Sequence, residues 1–315
     1  MSLPRIICVT GHTASGKSSL GMELARALGA VIVSVDSMQV YRGFDIGTAK
    51  ATAAEQAEIP HYGIDLCAPS ERYSAGRFME YARDVIAEQQ AAGRPVLAVG
   101  GTGLYLKAML HGLGPDAPAD RPLRARLQAD EASDPGVLHR RLTEVDPTTA
   151  ARLHPNDLVR CERALEVFML SGEPISQWHA RHNPEPSFDS LSIGLSRTRT
   201  ELRARIEARL AGMLRSGWIE EVAGLLAAGV TEEMTPMIAL GYRDIAAHLR
   251  GECGADELFT RINVASRRFA KRQTTWFNRE PSVHWLTPAG DLPDRLLPVL
   301  SRFLAGESIT SLEAL

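Results

Sequence analysis

The stretch PRIICVTGHTASGKSSLGMELARALG, residues 4–29, decides the fold. Its first part, residues 4–9, is a short apolar run rich in β-branched residues and predicts a buried strand. Its last part, Ser18 to Leu28, has the apolar spacing of a helix, and Gly29 supplies a typical stop signal. The glycine-rich turn between them therefore joins a strand directly to the start of a helix.

This turn, GHTASGKS, matches the pattern G-x-x-x-x-G-K-[ST] of loops that bind phosphate. Glycines allow successive backbone N–H groups to point at phosphate oxygens, and the following helix adds the positive end of its dipole. The lysine supplies a charge and the serine a hydroxyl for Mg²⁺. We therefore expect a phosphate site, with Ser18 as metal ligand, formed by Gly11, His12, Thr13, Ala14, Ser15, Gly16, Lys17 and Ser18.

The elements that follow alternate as in an α/β fold. An apolar strand at 31–35 precedes a helix that Ser74 can cap, and a third strand is predicted at 95–101. Each strand is almost continuously apolar, which indicates a parallel sheet covered by helices on both faces. A late strand at 191–197 and several further helices complete the predicted core.

The sequence changes character after Leu113. The next segment is rich in proline, alanine and charge, and the chain as far as about residue 186 predicts short helices only. We therefore expect a P-loop-containing parallel sheet core flanked by helices, formed by residues 1–113 and 187–315. Residues 114–186 are expected to form an all-helical insertion domain.

Net charge, cysteine spacing and hydropathy limit the classes of protein to which this chain can belong. The chain has 315 residues and a formal net charge of −3, so any binding of nucleic acid has to depend on local basic patches. Its four cysteines are isolated, which favours reduced, buried thiols over disulfides or a zinc finger. No signal peptide or membrane-spanning apolar run is evident, so we expect a cytoplasmic protein without membrane contact.

An acid follows the second predicted strand rather than the third. A P-loop kinase requires a metal-binding Asp after a later apolar strand, but the third strand ends in Gly100, Gly101 and Thr102. Asp36 instead follows the strand at 31–35, at the sheet edge where ligands of open α/β sheets bind. The competing interpretation is that Asp36 caps a following helix.

Six segments carry a resemblance to a known family: GHTASGKSSL, DSMQVYRGFDIGTAK, VGGTGLYLKAML, RCERALEVF, LGYRDI and FAKRQTTWF. In this order and spacing they resemble the bacterial tRNA dimethylallyltransferases, also called tRNA isopentenyltransferases or the IPP transferase family. The resemblance extends from about Arg5 to Leu286. The chain departs from the family pattern at His12, where proline is usual, at Phe44, where methionine is common, and at Ala51, where proline is usual.

This resemblance implies that the loop holds a diphosphate leaving group rather than a phosphoryl donor. The donor would be dimethylallyl diphosphate with Mg²⁺. The acceptor would be the exocyclic amine of the adenosine 3′ of the anticodon, position 37, in tRNAs reading codons that start with U. The resemblance also implies that Thr13, Lys17 and Arg209 act on the diphosphate and that Asp36 orients and deprotonates the amine.

The resemblance further implies contacts with the anticodon stem-loop of tRNA. The residues concerned are Asp36, Ser37, Met38, Gln39, Thr102, Arg124, Val159, Arg160, Cys161, Glu162, Arg163 and the segment from Ile238 to Arg243, which includes Gly241 and Tyr242. Residues 261–279 point the same way by themselves, because they contain six basic residues and no acid. In a chain of negative net charge, this favours a contact with phosphates over a merely solvated helix face.

Three other functions remain open on the sequence alone. A transferase that prenylates free adenine nucleotides would share the phosphate loop, but it would need neither the helical insertion nor the basic segment. A small-molecule kinase would need the missing Asp after the third strand. An RNA-binding module that uses a nucleotide as a switch would not need Asp36 beside the phosphates. We expect the protein to be a monomer.

Overall fold

The computed structural model describes residues 3–113, 119–181 and 186–312. The chain divides into two compact units, one formed by Met1–His111 with Pro186–Leu315 and the other by Gly112–Glu185. The sequence patterns placed these boundaries after residues 113 and 186. The first five residues of the expected insertion, 114–118, lie outside the described residues.

A parallel sheet of six strands forms the centre of the first unit. Its strands lie in the order β3-β2-β4-β1-β5-β6, and every neighbouring pair is parallel. The predicted α/β fold is therefore confirmed. The edge strands β3 and β6 were not predicted, because such short strands carry too little pattern. The strands are β1 (Arg5–Thr10), β2 (Val31–Val35), β3 (His61–Tyr62), β4 (Val96–Gly100), β5 (Asp189–Leu195) and β6 (Val283–Leu286).

Helices cover both faces of this sheet. Side chains alternate along β1, so that Ile6 and Cys8 belong to the core on one face and Ile7 and Val9 to the core on the other. Burial on both faces explains why the strands are apolar almost without interruption. The helices are α1 (Lys17–Leu28), α2 (Ala53–Glu58), α3 (Ala75–Ala91), α4 (Gly103–His111), α10 (Arg199–Arg215), α11 (Trp218–Ala227), α12 (Tyr242–Leu249), α13 (Ala255–Phe277) and α14 (Leu292–Leu304), with a 3-10 turn at Thr235–Ile238.

The carboxyl ends of β1, β2 and β4 lie side by side at one edge of the sheet. Both Thr10 of β1 and Val35 of β2 are in register with Gly100 of β4. A Cβ atom on Gly100 would lie only 2.1 Å from the backbone oxygen of Val35, so this position has no room for a side chain. The close approach brings the segments that follow the three strands within reach of one another.

The second unit contains only helices among its described residues. They are α5 (Arg121–Ser133), α6 (Val137–Val145), α7 (Pro147–Ala150), α8 (Leu158–Ser171) and α9 (Ile175–Arg181). A separate small core holds them together, with Leu127, Leu138, Leu142 and Leu165 at its centre. This core is built from helix-spaced leucines, which is the pattern the sequence predicts for short packed helices.

Two expectations from the sequence concern the state of the cysteines and the presence of a membrane-spanning segment. The four cysteines are free and buried, and burial raises the pKa of the Cys8 thiol to about 12. A thiol held in this state is a poor nucleophile. None of the described helices combines the length and the apolar character needed to cross a membrane.

Asp146 is a buried polar link within the helical unit. Its carboxylate accepts hydrogen bonds from the backbone N–H groups of Thr149 and Ser176, both 2.9 Å, and from the hydroxyls of the same two residues, both 2.8 Å. Burial raises the pKa of Asp146, but these hydrogen bonds outweigh burial and hold the pKa below its usual value. The folded unit therefore favours the ionised carboxylate.

We predict that Asp146→Ala lowers the free energy of unfolding by about 2–3 kcal/mol at neutral pH, because four donors lose a charged acceptor. A carboxylate with a lowered native pKa stabilises the fold above its unfolded-state pKa of about 3.9. That contribution is lost as the pH falls through the native pKa. The difference between parent and variant should thus shrink below about pH 4. Chemical denaturation followed by circular dichroism measures both effects.

Asp134 supplies the control for this measurement. It lies on the surface of the same unit and forms an exposed ion pair with Arg140. Asp134→Ala should therefore cost less than about 1 kcal/mol. Equal losses for the two variants would contradict the role assigned to Asp146.

Candidate active site

The phosphate loop connects β1 to α1 and has the backbone that the sequence predicts. Gly11 and Gly16 have φ values of 136° and 105°, and Ala14 between them has 61°. These left-handed positions turn the chain tightly between β1 and α1, and within the turn the N–H of Ser15 donates to the backbone oxygen of His12 at 3.2 Å. His12, which stands where the family has proline, is buried, and its Nδ1 lies 3.2 Å from the backbone oxygen of Thr13.

Two arginines donate hydrogen bonds to backbone oxygens of this loop. Arg197, which follows β5, donates from Nε to the backbone oxygen of Ser15, and Arg205 of α10 donates from Nε to that of Ala14, both at 2.8 Å. Both carbonyls are therefore held by guanidinium donors. Sequence reasoning missed these two residues, because Arg205 lies in a charged helical segment that looks solvated and Arg197 comes at the end of a predicted strand without any signal of its partner.

Lys17 and Arg209 make the site cationic. Burial lowers the pKa of Lys17 to about 8, with Arg209 adding to the effect and Asp36 opposing it. Burial likewise lowers the pKa of Arg209, again against the influence of Asp36. Two cations under mutual repulsion favour the binding of an anion between them. An open cavity of about 420 Å³ lies here, lined by Ala14, Gly16, Lys17, Ser18, Ser19, Arg205, Ala208 and Arg209.

Asp36 lies immediately after β2 and faces the same site. Its Oδ1 accepts hydrogen bonds from the backbone N–H groups of Met38 at 2.8 Å and Gln39 at 3.4 Å. No helix follows, so Asp36 caps a turn and the helix-cap interpretation is wrong. Its Oδ2 accepts no hydrogen bond from any residue that the structure describes, which leaves this atom available to a ligand.

Opposing effects of the surroundings determine the pKa of Asp36. Burial raises the pKa of Asp36, and the N–H of Met38, the charge of Lys17, the N–H of Gln39 and the charge of Arg209 oppose that rise in decreasing order. The net result is a raised pKa. A carboxylate whose pKa is raised is a stronger base than one exposed to water.

Thr102 and Gln273 tie the neighbouring segments together. Thr102 accepts from the N–H of Ser37 at 3.1 Å, and its own N–H donates to the backbone oxygen of Val35 at 3.2 Å. Gln273 of α13 accepts from the N–H of Thr13 at 2.7 Å and donates to the backbone oxygen of Gly101 at 3.0 Å. Gln273 was not predicted, since one glutamine in a basic helix carries no signal of its contacts.

One cavity of about 110 Å³ joins these groups. Thr13, Lys17, Ser18, Asp36 and Arg209 line its polar side, together with Gln39 and Gln273. Its remaining wall includes the apolar residues Met22, Ile32, Val99 and Phe269. The cavity thus combines cations, the carboxylates of Asp36 and Glu55, and apolar surface, which suits a ligand that has both a charged and a hydrocarbon part.

Two of the residues expected to contact RNA have buried side chains. Cys161 belongs to the core of the helical unit. Tyr242 is buried and donates a 2.6 Å hydrogen bond from its hydroxyl to Glu221. Packing inside the protein accounts for both side chains, and the contact of these two residues with RNA remains a prediction.

The other expected RNA residues of the helical unit lie around Glu166. This carboxylate is fully buried and accepts from Arg124 at 2.7 and 2.8 Å and also from Arg163. Both arginines remain about one-third exposed at their side chains. Val159 and Arg160, on the same helix as Glu166, are exposed. Glu162 lies beside them and accepts from Gln128 at 2.7 Å.

In the first unit, the segment around α12 is partly open to solvent. Ile238 is 58% exposed, and Arg243 is exposed and donates to the backbone oxygen of Glu232 at 2.8 Å. Gly241 has a φ of 88°, and a Cβ atom there would lie 2.3 Å from the ring of Trp218. Close packing therefore requires a glycine at this position, and its contact with RNA remains a prediction.

The basic residues of α13 and the turn after it divide into two groups. Arg261 pairs with Glu257, and Arg267 pairs with Glu207 of α10, so these two have partners within the protein. The remaining four are exposed, and none of them forms an ion pair with a described residue; they are Arg268, Lys271, Arg272 and Arg279. The unpaired group, which we call the basic face of α13, retains the charge expected of a phosphate contact.

The comparisons with known proteins agree with this geometry. The family model described as IPP transferase matches residues 39–280, and the model described as isopentenyl transferase matches residues 4–62. The tRNA dimethylallyltransferase of Syntrophobacter fumaroxidans is 47% identical over 286 residues, which cover 90% of this chain and 84% of that protein. The tRNA dimethylallyltransferase of Geobacter sulfurreducens is 43% identical, covering 90% of this chain and 92% of the other.

Solved structures lead to the same family. The tRNA isopentenylpyrophosphate transferase of Bacillus halodurans superposes with a TM-score of 0.69 at 36% identity, over 96% of each chain. A eukaryotic dimethylallyltransferase acting on tRNA gives a TM-score of 0.84 at 25% identity, over 98% of this chain and 81% of that chain. With a family model that matches most of its length and relatives above 40% identity, this chain belongs to the IPP transferase family.

Proposed function

We propose that this chain transfers the dimethylallyl group of dimethylallyl diphosphate to the exocyclic amine of adenosine 37 in tRNA. The preferred tRNAs would be those reading codons that start with U. The products would be N6-isopentenyladenosine and diphosphate. Membership of the IPP transferase family supports the reaction class, and the names of its relatives support tRNA as the acceptor.

The observation that carries the proposal is the meeting, at a single cavity, of an anion site and the carboxylate of Asp36, whose Oδ2 accepts no hydrogen bond from a described residue. Lys17 and Arg209 provide the cations, and Asp36 provides the carboxylate. The apolar wall offers a surface for a five-carbon chain. A kinase is disfavoured because β4 ends in Gly100 with no acid to hold its metal, as the sequence already indicated.

In the proposed reaction, the bond between the allylic carbon and the diphosphate oxygen breaks as a bond forms from that carbon to the adenine nitrogen. Negative charge develops on the departing diphosphate, where the loop N–H groups, Lys17 and Arg209 would stabilise it. The amine gives up one proton, and Asp36 would accept it. The raised pKa of Asp36 suits this role.

Mg²⁺ fits this site as a companion of the diphosphate. In the described part of the chain, no group of three or more His, Cys, Asp or Glu side chains is arranged to hold a metal alone. Mg²⁺ commonly keeps several waters and is held by few protein oxygens together with substrate phosphates. The hydroxyl of Ser18, at the start of α1, suits that mode. The ion would neutralise charge on the diphosphate.

The acceptor base has to leave its stack before its amine can reach Asp36. The basic face of α13 supports RNA as the partner in the first unit. In the helical unit we propose the exposed residues Val159 and Arg160 for the same partner. A monomeric state and a cytoplasmic location remain predictions.

Labelled dimethylallyl diphosphate tests the proposal directly. The chain is incubated with this donor and Mg²⁺, and either bulk tRNA or AMP is the acceptor. Label should enter tRNA at adenosine 37 and should not enter AMP. Transfer to AMP alone would replace the proposal by free-nucleotide prenylation, and transfer to neither would end it.

We predict that Lys17→Ala weakens donor binding and slows transfer, because the variant lacks a buried charge that faces the diphosphate. The affinity for tRNA should remain within about twofold of the parent, since the proposed RNA contacts lie elsewhere. Donor titrations and filter binding of tRNA measure the two quantities. Unchanged donor kinetics would remove the loop from the mechanism.

We predict that Asp36→Asn lowers the single-turnover rate by roughly 10²–10⁴, because the amide cannot accept the proton of the amine. The Michaelis constant for the donor should barely move, since other groups hold the diphosphate. The measurement uses folded variant with both substrates above their dissociation constants. If Asp36 only positions RNA, the rate would stay within about threefold of the parent and the Michaelis constant for tRNA would rise.

We predict that replacing Arg268, Lys271 and Arg279 by alanine flattens the salt dependence of tRNA binding. The slope of log K against log salt should fall by up to about one unit for each phosphate that the variant no longer neutralises. Donor affinity should not change. The control removes three exposed arginines outside α13, which are Arg26, Arg94 and Arg295. If the slope of log K against log salt is the same for the triple variant and this control, the basic face of α13 does not contact phosphates and is a solvated surface.

A further inference from the structure

Glu221 of α11 makes an unusual set of contacts. Its Oε2 accepts from the backbone N–H groups of Ile46 at 2.6 Å and Asp45 at 3.2 Å, and its Oε1 accepts from that of Gly47 at 3.5 Å. The hydroxyl of Tyr242 also donates to Oε1, at 2.6 Å. Among the described residues no cation pairs with this carboxylate. Successive backbone N–H groups therefore bind it much as a nest binds an anion.

The segment that Glu221 holds cannot easily adopt another position. A Cβ atom on Gly47 would lie 2.2 Å from Nε1 of Trp218 and 2.5 Å from the ring of Tyr242. Ala49 has a left-handed φ of 50°. We call residues 45–49 the anchored loop.

A buried lysine fixes the end of the anchored loop. Nζ of Lys50 donates to the carboxylates of Asp45 and Asp65, both at 2.6 Å, and to the backbone oxygen of Tyr41 at 2.8 Å. Two carboxylates thus face one ammonium that is almost fully shielded from water. Lys50 and Glu221 hold the loop at different points, and neither residue lines the active-site cavity.

The other side of the anchored loop forms part of the cavity. The backbone oxygens of Thr48 and Ala49 accept from Nε2 of Gln39 at 3.0 and 3.1 Å, and the hydroxyl of Ser34 donates to Oε1 of Gln39 at 2.7 Å. Gln39, Thr48 and Ala49 line the cavity together with Asp36. The backbone N–H of Gln39 also donates to Asp36, at 3.4 Å, so Gln39 contacts the anchored loop through its side chain and Asp36 through its backbone.

From these contacts we infer that Glu221 is a positioning residue for group transfer: through the anchored loop and Gln39 it fixes the wall of the cavity beside Asp36. The inference rests on the proposed function for its kinetic consequence. The charge of Glu221 is the part that matters, because a carboxylate accepts all four hydrogen bonds and an amide cannot. Without it, the anchored loop loses three backbone hydrogen bonds, the two acceptors of the Gln39 side chain are no longer fixed, and the cavity wall beside Asp36 can shift.

Loss of the Glu221 carboxylate should lower the rate of group transfer rather than the affinity for the donor. A displacement of about 1 Å at a reacting group costs roughly 10²-fold in rate. We therefore expect Glu221→Ala to lower the single-turnover rate by about 10- to 100-fold. The dissociation constant for dimethylallyl diphosphate should stay within about twofold of the parent, since the phosphate loop does not contact Glu221. Glu221→Gln keeps one acceptor oxygen, and its rate should be less than about half that of the parent but higher than that of Glu221→Ala.

Hydrogen exchange supplies a readout that needs no activity. The amide protons of residues 45–47 should exchange faster in Glu221→Ala and Glu221→Gln than in the parent, while those of β1 remain unchanged. Glu220→Ala is the matched control, because Glu220 is exposed in the same turn of α11 and makes no hydrogen bond with a described residue. It should leave both exchange and rate unaltered.

A double-mutant cycle separates positioning from general stability. If Glu221 acts through Gln39, the rate reductions in Glu221→Gln and Gln39→Leu should not add in the double variant. Additive reductions, a Glu221→Gln rate within about twofold of the parent, or slow transfer without faster exchange at residues 45–47 would each overturn the inference. A parent that transfers nothing to tRNA would instead defeat the proposed function. In that case, unchanged exchange at residues 45–47 in both Glu221 variants would still refute the anchor itself.

Discussion

The parallel pairing of β1, β2 and β4 determines where the candidate site can form. Because the three strands run in the same direction, the loops that follow them emerge at one edge of the sheet. The phosphate loop follows β1, Asp36 follows β2, and Thr102 follows β4. Gly100 allows β4 to approach β2 closely enough for Thr102 to hold the turn after Asp36. Cations and a carboxylate from distant parts of the sequence therefore share one cavity.

Long-range hydrogen bonds then fix each of these loops in place. Arg197 and Arg205 bind carbonyls of the phosphate loop, Gln273 joins that loop to Gly101, and Glu221 binds three N–H groups of the anchored loop. Each bond adds only a modest net free energy to the fold. Together they restrict the motion of the groups that have to be oriented for the proposed reaction. Orientation of reacting groups makes a large contribution to the rate of such a reaction. Two of the residues that make these bonds, Arg197 and Glu221, line neither cavity of the candidate site, and we expect them to affect function through the loops that they hold.

Charged groups have different surroundings near the phosphate loop and in the helical unit. Near the phosphate loop, Lys17 and Arg209 are left partly uncompensated, and burial lowers the pKa of both. In the helical unit, the carboxylates of Asp146 and Glu166 are supplied with several donors, and despite burial the pKa of each stays below its usual value. Satisfied charges stabilise a fold, whereas unsatisfied ones favour a ligand of opposite charge. The contrast separates structural ionic groups from those of the candidate site.

The sequence by itself determined the α/β fold, the phosphate loop, the acid after β2 and the family, because these depend on periodicity and on short contiguous motifs. It could not reveal that Tyr242 and Cys161 are buried, since an aromatic or a thiol beside exposed residues has no pattern of its own. Nor could it distinguish Arg267, which pairs with Glu207, from the exposed Arg268 beside it. Only the tertiary structure decided the partners of Glu221, Gln273 and Arg197. Their contacts join residues far apart in the chain, and hydrogen bonds over such separations are set by how helices pack on the sheet rather than by local sequence.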